Sequence, residues 1–238
     1  MNIQHLPAEQ LARLSKVRCW LLDMDGTISL GEEALPGALP FFAGLQGREY
    51  IFLTNNSSHS AGHYVQRLQK MGIQATRREV MTSTDALAAL LHRTGPQYRP
   101  ARIYAVGTPG FVEDLRSASF EIIAEREQAV DYVLLGFDTT LTYEKLDIAC
   151  DYIRRGTPYY AANPDRVCPL ADGRVLPDCG ALIAFMETCT GQPPRRVIGK
   201  PDPAMAEMVM ASRGYLPAEL AMVGDRLYTD IAFARRAG

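Results

Sequence analysis

The stretch Trp20-Leu21-Leu22-Asp23-Met24-Asp25-Gly26-Thr27 decides the fold of this chain. Residues 17–22 are apolar except for Arg18, and this run is short enough to be a buried strand. It ends abruptly in two acids, a glycine and a hydroxyl residue. In an open parallel sheet the carboxyl ends of the strands meet at the ligand crevice, so Asp23 and Asp25 are expected there. Because side chains alternate along a strand, both carboxylates should point the same way, where one could attack a substrate while the other handles protons.

The composition is that of an ordinary globular protein. The 238 residues are 47% hydrophobic and 22% charged, a length that suits one large domain or two smaller ones. The net charge of −2 offers no basic field, so we expect neither nucleic acid nor a membrane surface as a partner. No apolar run could cross a bilayer and residues 1–16 lack a secretory layout, which predicts a cytoplasmic protein. The five scattered cysteines, without a C-x-x-C pair, favour reduced thiols.

A second predicted strand, residues 49–53, ends in Thr54-Asn55-Asn56-Ser57-Ser58. Such a run of hydroxyl and amide residues between a strand and a helix offers side-chain donors and free backbone N–H groups to an anion. The same run also fits an ordinary helix N-cap, and the sequence leaves both interpretations open. At the following predicted helix, residues 60–71, His59 and His63 lie one turn apart with no acid or cysteine beside them. We interpret them as a solvated face.

Predicted strands and helices alternate again between residues 83 and 182. Gly95-Pro96 and Arg99-Pro100 in this region are typical of a linker or a domain edge. We therefore predict an α/β catalytic core, a doubly wound parallel sheet formed by residues 1–82 and 183–238. A smaller α/β domain over residues 83–182 is inserted into it. Within the inserted domain, Asn163-Pro164-Asp165-Arg166 and Asp172-Gly173-Arg174 are predicted turns.

Two further strand ends carry charged residues. The predicted strand 197–199 leads into Lys200, which places this lysine at a strand-to-helix junction and near the crevice. The predicted strand 220–223 ends in Asp225, and Asp230 lies at the start of the last predicted helix. These positions bring charged side chains from the C-terminal part of the chain to the same edge of the sheet.

The acids at this edge predict a metal site. A cluster of Asp23, Asp25 and Asp225, extended by Asp230, would repel itself without a cation. A few hard oxygen ligands with room for water and a phosphate suit Mg²⁺ better than zinc.

The order of these motifs resembles that of the haloacid dehalogenase-like phosphohydrolases, and more narrowly their NagD-like or 4-nitrophenylphosphatase branch, in which a C2-type cap domain is inserted between the threonine and lysine motifs. The resemblance spans nearly the whole chain. The matching stretches are Asp23-Met24-Asp25-Gly26-Thr27, Leu53-Thr54-Asn55-Asn56-Ser57, Gly136-Phe137-Asp138, Ala162-Asn163-Pro164-Asp165, Ile198-Gly199-Lys200-Pro201 and Met222-Val223-Gly224-Asp225-Arg226-Leu227-Tyr228-Thr229-Asp230-Ile231.

The resemblance implies a phosphatase that hydrolyses small phosphomonoesters. Asp23 would attack phosphorus and form an aspartyl-phosphate, which splits one hard displacement into two easier ones. Asp25 would protonate the departing oxygen and then deprotonate the attacking water. Lys200, the Thr54 hydroxyl and the Asn55 amide would bind the phosphate and stabilise its oxygens during transfer.

The resemblance also implies the ligands of the metal. The Asp23 carboxylate, the Asp25 backbone carbonyl and Asp225 would hold Mg²⁺, with Asp230 orienting water or a neighbouring ligand from outside the coordination sphere. The cation would offset the repulsion between the attacking carboxylate and the anionic phosphate.

The inserted domain is expected to act as a lid that excludes water and presents side chains to the leaving group. Asn163, Asp165 and Arg166 are its candidate substrate contacts. Relatives commonly pair through their caps, so a homodimer through this domain is expected. Relatives also continue past Asp230 with a further apolar strand that this sequence lacks, which predicts an uncovered edge of the core sheet.

Several functions compete with hydrolysis. A haloalkanoate dehalogenase has no use for Asp25 as acid and base, and a phospho-accepting signalling domain would be half as long without a lid. A catalytically weak binding protein of the same fold is disfavoured by the intact set of acids and lysine. A phosphomutase would use both aspartates and stays open. Sugar phosphates, nucleoside monophosphates, 4-nitrophenyl phosphate-like esters, phosphoglycolate and pyridoxal phosphate all stay open as substrates.

Overall fold

The computed structural model describes residues 7–45, 47–126, 129–170 and 173–238. The strands are β1 Cys19–Asp23, β2 Ser29–Leu30, β3 Glu33–Ala34, β4 Glu49–Thr54, β5 Val80–Thr82, β6 Arg102–Val106, β7 Glu121–Ile122, β8 Tyr132–Leu135, β9 Tyr159–Ala161, β10 Val167–Pro169, β11 Val175–Pro177, β12 Arg196–Val197 and β13 Leu220–Val223. The helices are α1 Ala8–Leu14, α2 Ala38–Gly44, α3 Ala61–Lys70, α4 Ser83–Thr94, α5 Pro109–Ser117, α6 Tyr143–Arg154, α7 Cys179–Thr190, α8 Ala204–Arg213 and α9 Ala232–Ala237. A 3₁₀ turn at Pro217–Glu219 precedes β13, and a π-helical turn at Leu227–Ile231 precedes α9.

The first sheet is parallel and has the strand order β13-β1-β4-β5. Its strand β1 lies between β13 and β4, with Leu22 opposite Val223 and Phe52. β1 and β4 are apolar over most of their length because a parallel sheet is covered by helices on both faces. Leu21 and Ile51 pack into one apolar cluster, whereas Leu22 and Phe52 pack into another on the opposite face. This arrangement confirms the predicted α/β core with a parallel sheet.

The second sheet is also parallel, with the order β12-β9-β8-β6-β7. Neighbouring residues of β6 face its two sides, so that Ile103 packs with α4 and α5 while Tyr104 packs with α6 and α7. The cluster around Ile103 also contains Leu21 and Ile51 of the first sheet. One apolar core is therefore shared by the two sheets, and the inserted unit is packed against the first one.

The chain returns to the first sheet later than the sequence predicts. The predicted core strand 197–199 corresponds to β12, which pairs with β9 of the second sheet and places Val197 opposite Ala161. The Ile198 N–H continues this ladder by donating to the Ala161 carbonyl at 2.8 Å. This pairing makes β12 part of the second sheet, and Lys200 still follows a strand end. The domain boundaries themselves stay a prediction.

Several short elements were not expected from the sequence. Strand β5 adds a fourth strand to the first sheet, and two hairpins form from β2 with β3 and from β10 with β11. The predicted turn 172–174 includes Asp172, which lies outside the described residues. In the part of the chain that the structure describes, no helix has the length and apolar character needed to cross a bilayer.

The loop between β4 and α3 joins the two units. The Phe137 N–H of the inserted unit donates to Ser57 Oγ at 2.9 Å. On α5, the Asp114 carboxylate accepts the N–H of Ala61, the first residue of α3, at 3.0 and 3.3 Å. Burial raises the pKa of Asp114 to about 6, although the hydrogen bond from Ala61 opposes this shift.

Asp114→Asn is expected to remove part of the pH dependence of stability. A carboxyl whose pKa is raised on folding stabilises the fold fully below its unfolded pKa of 3.8, and this stability is lost as the pH rises through about 6. The variant should therefore match the wild type near pH 4 and exceed its free energy of unfolding by roughly 1 kcal/mol at pH 8. Urea unfolding at both pH values measures the difference. Glu113→Gln, at the exposed neighbouring position, is the matched control, and an equal change in that variant would contradict the assignment to Asp114.

Candidate active site

The carboxyl ends of β1, β4 and β13 meet at one cavity of about 480 Å³. Asp23, Thr54 and Asp225, at or just after these strand ends, all line it. A larger groove of about 800 Å³ lies at the opposite edge of the sheet, around Glu49 and Arg213. Because ligands of parallel sheets bind at the carboxyl ends of the strands, and because the acids lie there, the smaller cavity is the candidate site.

Lys200 lies between two acids of the cavity. Its side chain is 3% exposed, and its ammonium forms ion pairs with the Asp23 carboxylate and with Asp230 Oδ1, the latter at 2.7 Å. Burial lowers the pKa of Lys200, but the charges of Asp23 and Asp230 outweigh it, so the net shift is upward and the lysine stays charged. Burial raises the pKa of Asp23 to about 6, although Lys200 opposes that shift. The predicted lysine and the predicted nucleophile are thus brought into direct contact.

Three carboxylates form the oxygen cluster that a cation requires. Asp23, Asp225 and Asp230 each offer one oxygen, and these oxygens all lie within 4.8 Å of one another. Asp230 Oδ1 is buried and, within the described part of the chain, receives no well-aligned hydrogen bond, although Lys200 Nζ is near. Three carboxylates beside a single lysine charge form an all-oxygen set that fits Mg²⁺. Asp230 thus lies beside Asp23 and Asp225 in this cluster.

Gly26 makes room for Asp225. Its φ of +94° is one that side chains rarely adopt, and a Cβ built on it would lie 2.7 Å from Asp225 Oδ2. A glycine at this turn therefore permits the carboxylate of the β13 end to reach the carboxylate of the β1 end.

Gly26→Ala is expected to lower kcat/KM for a phosphomonoester by about 10²-fold, because the added methyl group displaces the Asp225 carboxylate. The requirement for Mg²⁺ should rise in parallel, which a metal titration of the rate measures. Gly37→Ala is the matched control, since Gly37 has a φ of +95° and open space at its Cβ position. It carries the same backbone cost, about 1–2 kcal/mol of stability, without the clash. Equal losses of activity in the two variants would contradict the role of Gly26.

Asn55 connects the lysine loop to the inserted unit. Its Oδ1 accepts the Lys200 N–H at 2.7 Å, and its Nδ2 donates to the Lys200 carbonyl at 2.9 Å and to Asp165 Oδ2 at 3.1 Å. Both ends of the amide are therefore occupied within the protein, whereas the sequence interpretation assigns this amide to the phosphate. Thr54 lines the cavity as well, and its Oγ1 accepts the Asn56 N–H at 3.1 Å.

Asp25 lies in the cavity but its side chain turns away from the acid cluster. Its Oδ1 accepts from Arg67 Nη2 at 2.7 Å, and the same nitrogen donates to Ser29 Oγ at 2.7 Å. Arg67 is 7% exposed, so this contact holds the Asp25 carboxylate in a fixed position. A proton-transfer group beside the nucleophile fits this placement, whereas metal binding through the Asp25 side chain does not.

The two histidines lie on a solvated face, as the sequence predicts, since His59 is exposed and His63 is half-buried. His59 and His63 stack with ring centroids 4.1 Å apart, and both line the cavity. Burial is the main cause of a lowered pKa for His59, and His63 adds to it. The sequence did not show that this solvated face borders the cavity.

The inserted unit closes the cavity from the other side. Asp165 lines it, together with Asp178 at the start of α7 and with the hairpin strand β10. Asn163 is fully buried and donates to the Asn55 carbonyl at 2.8 Å, so its amide supports the loop. Arg166 is exposed and does not border the cavity. The sequence analysis did not identify three features that border the cavity, namely Asp178, strand β10 and Arg226. In the sequence, Asp178 looks like an ordinary N-cap, β10 like a turn and Arg226 like a surface arginine.

The chain matches known families and proteins over most of its length. The pattern of the family described as Haloacid dehalogenase-like hydrolase matches residues 20–121, and that of the HAD-hydrolase-like family matches residues 197–238. The acid sugar phosphatase of Staphylococcus aureus is 33% identical over 220 residues, which are 92% of this chain and 82% of that protein.

Solved structures agree with this match. A 4-nitrophenylphosphatase from Thermotoga maritima superposes with a TM-score of 0.87 at 37% identity, covering 94% of this chain and 84% of that one. A glycerol phosphate phosphatase from Mycobacterium tuberculosis, solved in complex with magnesium, gives a TM-score of 0.86 at 33% identity and covers 94% and 66%. NagD from Escherichia coli superposes at 0.81 with 27% identity, covering 93% of this chain and 85% of that one. This chain therefore belongs to the haloacid dehalogenase-like hydrolases, in their NagD-like branch.

Proposed function

We propose that this phosphatase hydrolyses phosphomonoesters of sugars or related polyols through an aspartyl-phosphate on Asp23, with Mg²⁺ as its cofactor. Family membership makes the chain a hydrolase of phosphomonoesters. The observation that carries the mechanism is the buried carboxylate of Asp23, which lies against Lys200 and beside Asp225 and Asp230 at the wall of the cavity. Sugar and polyol phosphates are favoured because two relatives are an acid sugar phosphatase and a glycerol phosphate phosphatase.

In the proposed mechanism, Asp23 attacks phosphorus from the end of β1. Lys200 neutralises the carboxylate in the resting state and offers its ammonium to the phosphate oxygens during transfer. The Thr54 hydroxyl donates to another phosphate oxygen. Asp25, oriented by Arg67, gives a proton to the leaving oxygen and later takes one from the water that hydrolyses the acyl phosphate.

Asp23, Asp225 and Asp230 would hold the Mg²⁺, with the Asp25 backbone carbonyl as the further ligand that the family resemblance implies. The cation supplies positive charge that offsets the repulsion between an anionic nucleophile and an anionic phosphate. Dimerisation through the inserted unit and a cytoplasmic location stay predictions of the sequence.

A panel of sugar, glycerol, nucleoside and 4-nitrophenyl phosphates tests the proposal, with phosphate release measured with and without Mg²⁺. The proposal requires metal-dependent release, with sugar or glycerol phosphates preferred. A phosphomutase would instead return an isomeric sugar phosphate without free phosphate, so the products are separated by chromatography. A protein that binds these esters without releasing phosphate would support the alternative of a catalytically weak binding protein with the same fold.

A further inference from the structure

The cations that line the cavity differ in whether a carboxylate holds them at short distance, although Arg67 keeps one buried nitrogen, Nε, without a hydrogen-bond partner among the described residues. Lys200 and Arg67 are each held by a carboxylate at 2.7 Å. The guanidinium of Arg226 donates no hydrogen bond to any residue that the structure describes. Its ion pair with Asp225 is long, with 4.0 Å between Nε and Oδ2, and the Arg226 side chain is 28% exposed. A guanidinium with open donors at the wall of a cavity is available to a ligand.

The main chain holds Arg226 at the site. Its backbone N–H donates to Asp230 Oδ2 at 3.1 Å, so the residue is fixed directly after the acid cluster. Its side chain can therefore act on a ligand without being needed to hold the loop, and side-chain substitutions leave this backbone hydrogen bond in place.

Two carboxyl groups of the inserted unit border the same cavity. Asp165 uses Oδ2 for Asn55, while its Oδ1 accepts no hydrogen bond from the described residues. Asp178 caps α7 by accepting the Cys179 N–H at 2.5 Å. Burial raises the pKa of both carboxyls, that of Asp178 to about 7, and the positive charge of Arg226 opposes the shift in each case. The guanidinium and the two carboxyl groups therefore act on one another across the cavity.

We propose that Arg226, Asp165 and Asp178 bind the leaving group of the substrate and select a leaving group that carries hydroxyl groups. This inference rests on the proposed phosphatase function. A hydroxyl both donates and accepts, so a polyol can donate to the carboxyl oxygens while it accepts from the guanidinium. A leaving group with a carboxylate would meet Arg226 but would also lie among the carboxyl groups of Asp165, Asp178 and Asp225, whose charged forms repel it.

The test compares three substrates: glycerol 3-phosphate, 4-nitrophenyl phosphate without aliphatic hydroxyls, and phosphoglycolate with a carboxylate. The wild type should prefer glycerol 3-phosphate to phosphoglycolate. Arg226→Gln should lower kcat/KM for glycerol 3-phosphate by about 10- to 100-fold and that for 4-nitrophenyl phosphate by less than about 3-fold. Asp178→Asn, which keeps an oxygen to cap α7, should likewise lower kcat/KM for glycerol 3-phosphate more than that for 4-nitrophenyl phosphate. Arg235→Gln, at an exposed position on α9, is the matched control and should change neither rate.

Each outcome decides the inference. Equal losses for the two substrates would show that Arg226 acts on the phosphate or on Asp225, and would overturn the role. Unchanged rates, or a wild-type preference for phosphoglycolate, would overturn it as well. Each of these outcomes leaves the phosphatase standing. Failure of the wild type to release phosphate from any of the three esters would instead refute the proposed function, and the selection with it.

Discussion

Asp23→Asn is expected to lower kcat for phosphate release by at least about 10³-fold, the scale of loss seen when a covalent nucleophile is removed. An amide oxygen is a poor nucleophile, so the acyl phosphate cannot form at this position. Stability should not fall in parallel, because burial penalises the charged form of Asp23, whose pKa is raised to about 6. The rate is measured as phosphate release at saturating Mg²⁺, together with thermal unfolding of both proteins.

Asp25→Asn is the matched control, because it makes the same change at the neighbouring aspartate and separates the role of the nucleophile from that of the acid and base. It should keep the nucleophile, so that rapid quenching with 4-nitrophenyl phosphate still gives a burst of nitrophenolate, a good leaving group that needs no acid. Steady-state turnover should be slow because the attacking water loses its base. Phosphate bound covalently to Asp23→Asn, detected by intact mass after acid quenching, would refute the assignment of the nucleophile.

The strand ends explain why so much of this site could be predicted from the sequence. Asp23, Thr54 and Asp225 lie at or just after the ends of apolar runs short enough to be buried strands, and parallel strands of one sheet deliver their carboxyl ends to one edge. The runs therefore indicate both the fold and the positions of the polar side chains. The same reasoning predicted the alternating strands and helices of the inserted unit. It did not predict that β12 pairs with β9.

The features that were missed depend on contacts between distant parts of the chain. β12 is a two-residue strand, too short to show which sheet it joins, and Val197 pairs with Ala161 only once both units are assembled. The protein partners of the Asn55 amide, Lys200 and Asp165, are 145 and 110 residues away in sequence, so the sequence could not show these hydrogen bonds. Arg226 follows a predicted metal ligand, but its open donors become evident only when the partners of the other cations are known.

Removal of the metal is the second change with a large expected effect. Chelation should lower phosphate release by at least about 10³-fold, because the repulsion between the attacking carboxylate and the phosphate is then no longer offset. Added Mg²⁺ should also raise the unfolding temperature, since a cation that binds only the folded acid cluster stabilises it by mass action. The three oxygens within 4.8 Å of one another are the source of both effects.

Asp225→Asn tests which residues hold the ion. It removes one of the three negative charges, so the Mg²⁺ concentration for half-maximal rate should rise by at least about 10-fold. The increase of unfolding temperature with Mg²⁺ should shrink accordingly. Asp230→Asn should raise the half-maximal concentration to a similar extent if its Oδ1 is a direct ligand, and by less if it acts through water. Glu207→Gln, an exposed acid on α8, is the control for net charge. A rate that survives chelation in the wild type, or an Asp225→Asn variant with unchanged metal dependence, would mean that Lys200 alone offsets the charge of the phosphate.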